Sequence, residues 1–188
     1  RIRLRMHDRK IPIMHLNKHL QDVELAGRRQ MSYRGAGNED LMACVLLPPG
    51  YVEGHRYPMI IDIYPGTSGK CTPVSVNFVS GGELLAAQGY IVLRPGTPHE
   101  SIRTPNGPIA GMAGAVEKAI EAATTQGYAD PDRIGLWGTS QGGISSLWLA
   151  TQMKQFKAIV SGQGWADLAD HYLSADYQNL LFPEEAPY

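Results

Sequence analysis

Long apolar runs are missing from this sequence of 188 residues, and so is an excess of charge of either sign. No stretch is apolar for the length that a bilayer-spanning helix requires, so a membrane protein is not expected. Lys and Arg total 17 against 18 Asp and Glu, and no basic stripe indicates a nucleic-acid partner. The opening RIRLRMHDRK is basic, but no apolar stretch follows it, so it is not a signal peptide. We expect a soluble protein, with the choice between cytoplasm and periplasm left open.

Cysteine is also scarce, and the histidines are scattered. Cys44 and Cys71 are the only cysteines, which are too few for a disulfide scaffold and do not have metal-ligand spacing. They form either one bridge or two buried thiols. The six histidines are scattered and form no H-E-x-x-H pattern. We therefore expect neither a metal site nor a cofactor.

What the sequence does contain is an alternation of strands and helices in a chain that is 43% hydrophobic, enough for one core-forming domain. The alternation predicts parallel β-α-β units in a doubly wound α/β fold, preceded by an antiparallel hairpin. Residues 1–27 are interpreted as a connector. The predicted strands are 28–35, 40–50, 57–64, 90–94, 133–138 and 156–164, the helices are 81–89, 110–127 and 141–152, and the proline-containing loop is 95–108.

Residues 138–142 have the pattern G-x-S-x-G, with Ser140 between a predicted strand and a predicted helix. This context is typical of a nucleophile elbow, in which small neighbours allow the serine to adopt unfavourable backbone angles. The hydroxyl then projects beyond the carboxyl end of the strand, where the free N–H groups of the next helix can bind an oxyanion. The alternative is a glycine-rich turn with an incidental serine.

Three segments together resemble the prolyl oligopeptidase family of serine peptidases. DPDRIGLWGTSQGG (130–143) is similar to its nucleophile segment, and LPPGYVEGHRYPMIIDIYPG (47–66) to the entry into its α/β-hydrolase domain. FKAIVSGQGWADLADHY (156–172) is similar to a strand and loop that wall the specificity pocket. The resemblance implies an α/β-hydrolase fold, a peptide substrate and no cofactor.

The resemblance also implies roles for individual residues. Ser140 would be the nucleophile, and the Tyr64 hydroxyl and the Gln141 backbone N–H would form the oxyanion hole. The implied substrate-binding residues are Trp165, Leu168 and Tyr172. The family often has Tyr at position 141 and an aromatic residue at position 168, so Leu168 is expected to weaken any preference for proline. The altered pocket favours a member of the family with unusual substrates, such as an acylaminoacyl peptidase or an isopeptidase that opens lasso peptides, and the choice between them stays open.

The catalytic acid and base are not evident after Ser140. The order expected of an α/β-hydrolase is Ser, then Asp or Glu, then His. His171 is the single histidine after Ser140 and is adjacent to Asp170, and neighbouring side chains point in different directions. We therefore expect the triad Asp and His beyond residue 188, with residues 28–188 as the N-terminal part of a catalytic domain. The resemblance to the family also implies a β-propeller before this domain, with residues 1–27 as the connector from it.

Two other functions fit the same residues. A carboxylesterase of related fold would use the same serine, because acyl transfer to serine serves esters and amides alike. A non-catalytic binding module would keep the elbow without a base.

Overall fold

A computed structural model describes residues 2–6, 9–14, 18, 22–72, 81–98 and 109–167. A six-stranded sheet forms the centre of the fold, and a separate antiparallel pair of strands precedes it in the chain. That pair lies inside residues 1–27, which the sequence indicated only as a connector. The elements in chain order are β1 (Ile2–Met6), β2 (Arg9–Met14), β3 (Gly27–Arg34), β4 (Asp40–Leu47), β5 (Tyr57–Ile63), α1 (Gly82–Ala87), β6 (Ile91–Pro95), α2 (Met112–Thr125), β7 (Ala129–Thr139), α3 (Gln141–Gln152) and β8 (Phe156–Gly162).

The strand order of the large sheet is β3-β4-β6-β5-β7-β8. Strands β6, β5, β7 and β8 are mutually parallel, whereas β3 and β4 form an antiparallel hairpin that joins the sheet through β6. This arrangement confirms the predicted α/β class and the predicted hairpin. Because the four parallel strands end at the same edge of the sheet, which we call the carboxyl edge, the loops after them lie close together.

Alternating side chains of the strands form two cores. The larger core contains Met59, Ile61 and Ile63 of β5, together with residues of α2 and Leu149 of α3. The smaller core lies on the opposite face and combines Cys44, Leu46 and Val92 with Ala86 of α1. The sheet is thus covered by helices on both faces, as continuously apolar parallel strands require.

Cys44 and Cys71 form a disulfide, which decides between the two possibilities that the sequence left open. The bridge connects β4 to the loop that follows β5, across a sequence separation of 27 residues. The longest helix among the described residues is α2, with 14 residues, and none of the helices described has both the length and the apolar character needed to cross a membrane.

Candidate active site

Ser140 lies at a sharp turn between β7, which ends at Thr139, and α3, which begins at Gln141. Its backbone angles are φ 59° and ψ −124°, a region that residues with a side chain rarely adopt. The Ser140 N–H donates to the Gly162 carbonyl at 2.9 Å, and the Ser140 carbonyl accepts from the Gly143 N–H at 2.8 Å. The strand–turn–helix context predicted for the G-x-S-x-G pattern is therefore confirmed.

The glycines around Ser140 are required by contacts between backbones. A Cβ on Gly138 would overlap the Gly142 carbonyl oxygen and Ser146 Oγ. A Cβ on Gly142 would overlap the Ile63 carbonyl oxygen of β5, and one on Gly143 would lie 2.7 Å from the Gly162 carbonyl oxygen of β8. The start of α3 therefore packs directly against the carboxyl ends of β5 and β8, which only glycine permits.

Tyr64 immediately follows β5 and lies beside the elbow. Ile63 pairs with Gly138 of β7, so the ends of the two strands are level. A Cβ on Gly142 would lie 3.4 Å from Tyr64 Cδ2, which places the edge of the tyrosine ring against the first turn of α3. Tyr64 is 44% exposed, at the carboxyl edge of the sheet.

Gln141 is the first residue of α3. Its N–H therefore has no carbonyl to bind within the helix, and the helix dipole makes this end partly positive. The structure thus brings together the three residues for which the sequence predicted a catalytic role: Ser140, Gln141 and Tyr64. Two donors from different strand ends beside a serine can bind the oxygen of a tetrahedral adduct.

Trp165 follows β8 in a loop that also packs on the elbow. The backbone of Gly164 lies against Gly143, since a Cβ on Gly164 would approach the Gly143 carbonyl carbon to 2.6 Å. The Trp165 side chain is half-buried. The other two residues predicted to bind substrate, Leu168 and Tyr172, lie outside the described residues, as do Asp170 and His171.

Of the six histidines, only His55 lies among the described residues. It precedes β5, at the edge of the sheet opposite to Ser140, and its ring stacks edge-on against Tyr57 with 4.6 Å between centroids. His55 is therefore not the base for Ser140.

A partly buried ion pair lies on the α1 face of the sheet, close to the carboxyl edge. Arg94 Nε of β6 donates to Asp62 Oδ2 of β5 at 2.7 Å. Burial raises the pKa of the Asp62 carboxyl above its ordinary value, and the adjacent Arg94 guanidinium offsets part of that rise.

Two threonines that the sequence reasoning missed contact the backbone of Tyr64. Thr97 Oγ1 donates to the Tyr64 carbonyl at 3.1 Å, and Thr67 Oγ1 lies 3.3 Å from the same oxygen. Thr97 falls in the segment that the sequence indicated only as a proline-containing loop. The contact of Thr97 depends on β6 lying next to β5 in space, so no local motif marks it. Thr67 lies three residues after Tyr64 in the same loop, in a segment to which the sequence assigned no motif.

Comparison with known proteins identifies a family and several relatives of this chain. The model of the prolyl oligopeptidase family matches residues 115–186. Dipeptidyl-peptidase 5 of Porphyromonas gingivalis is 30% identical over 158 residues, which cover 79% of this chain and 22% of that protein. This chain spans about a fifth to a quarter of the length of curated relatives such as this one.

Solved structures share the fold. The acylaminoacyl peptidase of Pyrococcus horikoshii superposes with a TM-score of 0.71 at 19% identity, covering 96% of this chain and 30% of that one. The AtxE2 isopeptidase gives a TM-score of 0.62 at 22% identity, covering 85% of this chain and 26% of that one. The described strands and helices are thus part of an α/β-hydrolase fold, and the chain belongs to the prolyl oligopeptidase family of serine peptidases.

Proposed function

We propose that this chain supplies the nucleophile and the oxyanion hole of a serine peptidase that cleaves peptide or isopeptide bonds. The observation that carries the proposal is the strained backbone of Ser140, held beside the Tyr64 ring and the first turn of α3. Strain of this kind is retained where the surrounding structure enforces it, and it is concentrated at functional sites.

In the proposed reaction, Ser140 Oγ attacks the scissile carbonyl carbon while a base removes the hydroxyl proton. The carbonyl oxygen becomes an oxyanion, which accepts hydrogen bonds from the Tyr64 hydroxyl and the Gln141 N–H. The adduct collapses to an ester on Ser140 as the amine leaves with the proton. Water then attacks the ester, the same base removes a proton from the water and returns it to Ser140 Oγ, and the carboxylic acid is released.

The base and its orienting carboxylate are proposed to come from beyond residue 188. Support comes from the position of His55, the one histidine among the described residues, at the opposite edge of the sheet. The order Ser, acid, His in this fold also places both groups after the nucleophile. We also propose that a β-propeller precedes residues 1–27, which would connect it to the catalytic domain.

The test is labelling of the full-length protein with a fluorophosphonate, which reacts with activated serines. We expect Ser140→Ala to abolish labelling and to lower kcat by about 10⁶, because the members of a triad act as a unit. Ser32→Ala, which removes an exposed serine hydroxyl of β3, is the matched control and should label like the wild type.

Persistent labelling of the Ser140→Ala protein would overturn the assignment of the nucleophile. Turnover of a p-nitrophenyl ester without cleavage of any peptide or isopeptide would identify an esterase instead. No labelling and no turnover by the full-length wild type would indicate a binding module.

A further inference from the structure

We infer that Thr97 is a positioning residue that fixes the oxyanion-hole tyrosine by holding the Tyr64 carbonyl; this rests on the proposed function. The Thr97 side chain is buried, with 6% exposure, although it follows β6 in a loop at the carboxyl edge. Burial of a hydroxyl is unfavourable unless its hydrogen bonds are made. The partners of the Thr97 hydroxyl therefore indicate which part of the structure this side chain holds in place.

Both hydrogen-bonding capacities of the Thr97 hydroxyl are used on the loop that carries Tyr64. Its O–H donates to the Tyr64 carbonyl at 3.1 Å, and its oxygen accepts the Thr67 N–H at 3.3 Å. The Thr97 N–H donates in turn to the Thr67 carbonyl at 2.9 Å. Thr67 Oγ1 donates to the Pro95 carbonyl at 2.8 Å. The loop after β5 is thus joined by hydrogen bonds to Thr97 and to Pro95 at the end of β6.

Tyr64 depends on these contacts because it lies beyond the pairing of its own strand. The ladder between β5 and β6 ends at Ile61, and the ladder between β5 and β7 ends at Ile63. Tyr64 is 44% exposed, so its neighbours enclose it only in part. The direction of the hydroxyl is therefore determined to a large extent by the backbone, and Thr97 holds that backbone.

The segment that carries Thr97 is itself firmly anchored. The Gly96 N–H donates to the Met42 carbonyl of β4 at 2.7 Å, and the Gly96 carbonyl accepts from the buried Tyr33 hydroxyl of β3 at 3.1 Å. Burial raises the pKa of Tyr33, so this hydroxyl stays protonated and remains a donor. Thr97 is thus placed by the antiparallel part of the sheet and acts on the parallel part.

The test is a double-mutant cycle in the full-length protein with Thr97→Val and Tyr64→Phe. Valine keeps the shape of threonine but cannot donate to the Tyr64 carbonyl. We expect Thr97→Val to lower kcat about 10- to 100-fold with little change in KM, as a small displacement of a catalytic group does. In the Tyr64→Phe background the same substitution should change kcat by less than about twofold, because the hydroxyl that Thr97 orients is already absent.

Two further variants separate positioning from folding. Thr97→Ser retains the hydroxyl and should restore kcat to near the wild-type value. Thr124→Val is the matched control, since Thr124 Oγ1 on α2 is buried and has no hydrogen-bond partner among the described residues. It should leave kcat unchanged. If Thr97→Val does not fold, Thr67→Val replaces it, with the same pattern expected.

The inference is overturned if Thr97→Val leaves kcat unchanged while Ser140→Ala abolishes turnover. It is also overturned if Thr97→Val lowers kcat equally in the presence and absence of the Tyr64 hydroxyl, because Thr97 would then act by another route. Undiminished turnover by the Ser140→Ala protein would instead refute the proposed function. The two failures are therefore distinguishable.

Discussion

At the scale of single residues, Ser140 keeps a backbone conformation that costs about 1–3 kcal/mol for a residue with a side chain. Hydrogen bonds to Gly162 and Gly143 hold its N–H and carbonyl from two sides, so relaxation of Ser140 would disturb β8 and α3 together. Small neighbours are the condition for this arrangement, because the backbones of β7 and α3 are in contact at the turn.

Gly138→Ala should therefore be strongly destabilising. The new methyl group would overlap Ser146 Oγ and the Gly142 carbonyl oxygen, and the latter belongs to the backbone of α3 and cannot move without displacing the helix. Overpacking of this kind costs about 1–3 kcal/mol, measurable as a lower free energy of unfolding in urea. Gly27→Ala is the matched control, since its Cβ would make an ordinary contact of 3.5 Å with Leu47 Cβ. Equal stability of the two variants would contradict the packing described for the elbow.

Tyr64→Phe should lower kcat by about 10²–10³ with little change in KM, because one oxyanion donor would be lost while the ring is retained. Steady-state kinetics of the full-length protein on a peptide substrate measure both constants. Tyr90→Phe, which removes a tyrosine hydroxyl at the opposite end of the sheet, is the control. A higher KM with unchanged kcat would make Tyr64 a wall of the substrate pocket.

At the scale of secondary-structure elements, local sequence patterns were sufficient to predict the ends of an element where residues of that element alone set those ends. The bounds of α3, Gln141–Gln152, agree with the prediction, and Gly127 follows α2 with a φ of 81°, as a helix stop requires. Strand β7 begins at Ala129 instead of Arg133. Pro131 and its charged neighbours do not have the pattern of a strand, so the sequence does not indicate the first four residues of β7. That part of the strand depends on the pairing of Ala129 with Tyr57 of β5.

The same distinction applies to the candidate site. The strand–turn–helix context of the elbow could be predicted because a short motif lies between a recognisable strand and a recognisable helix. The role of Tyr64 came from the family resemblance and stays a prediction. The contact between Thr97 and Tyr64 could not be predicted, because it depends on β6 lying next to β5 in space. The pairing of Cys44 with Cys71 was undecided for the same reason, since two cysteines alone do not indicate whether the segments that carry them are close.

The disulfide should make a large contribution to stability, because it restricts the unfolded chain across a separation of 27 residues. The chain-entropy relation gives about 3–4 kcal/mol for a loop of this size. We expect reduction by dithiothreitol to lower the free energy of unfolding by roughly that amount. The Cys44→Ala/Cys71→Ala protein should have the same lowered stability and should not respond to the reductant. Identical unfolding curves of oxidised and reduced wild type would contradict the bridge.

At the scale of the whole molecule, the partly buried pair of Asp62 and Arg94 should affect how stability depends on pH. Since burial raises the pKa of Asp62, the folded state binds this proton more tightly than the unfolded chain does. The contribution of Asp62 to stability is therefore fully present below the unfolded pKa of about 4 and declines as pH rises through the raised folded value. Urea unfolding of the wild type and of Asp62→Asn at a series of pH values measures this contribution to the free energy of unfolding.

The stability of the wild type minus that of Asp62→Asn should decrease as pH rises through this window. Asp130→Asn is a control of opposite sign. The Asp132 N–H donates to Asp130 at 3.0 Å and, with Arg133, lowers the pKa of Asp130. Its contribution is present above the unfolded pKa and is lost as pH falls, so the corresponding difference should increase with pH. An increase for Asp62 as well would show that attraction to Arg94 outweighs burial.

The bridge between Cys44 and Cys71 also encloses the exposed turn at Glu53 and Gly54 in a covalent ring. A protease that cuts the chain at this turn, as proteases do at exposed loop tips, would open the ring without separating its two ends. The nicked protein should run as one species on a denaturing gel without reductant and as two fragments with it. Strands β4 and β5 would thus stay covalently joined after the peptide connection between them is lost.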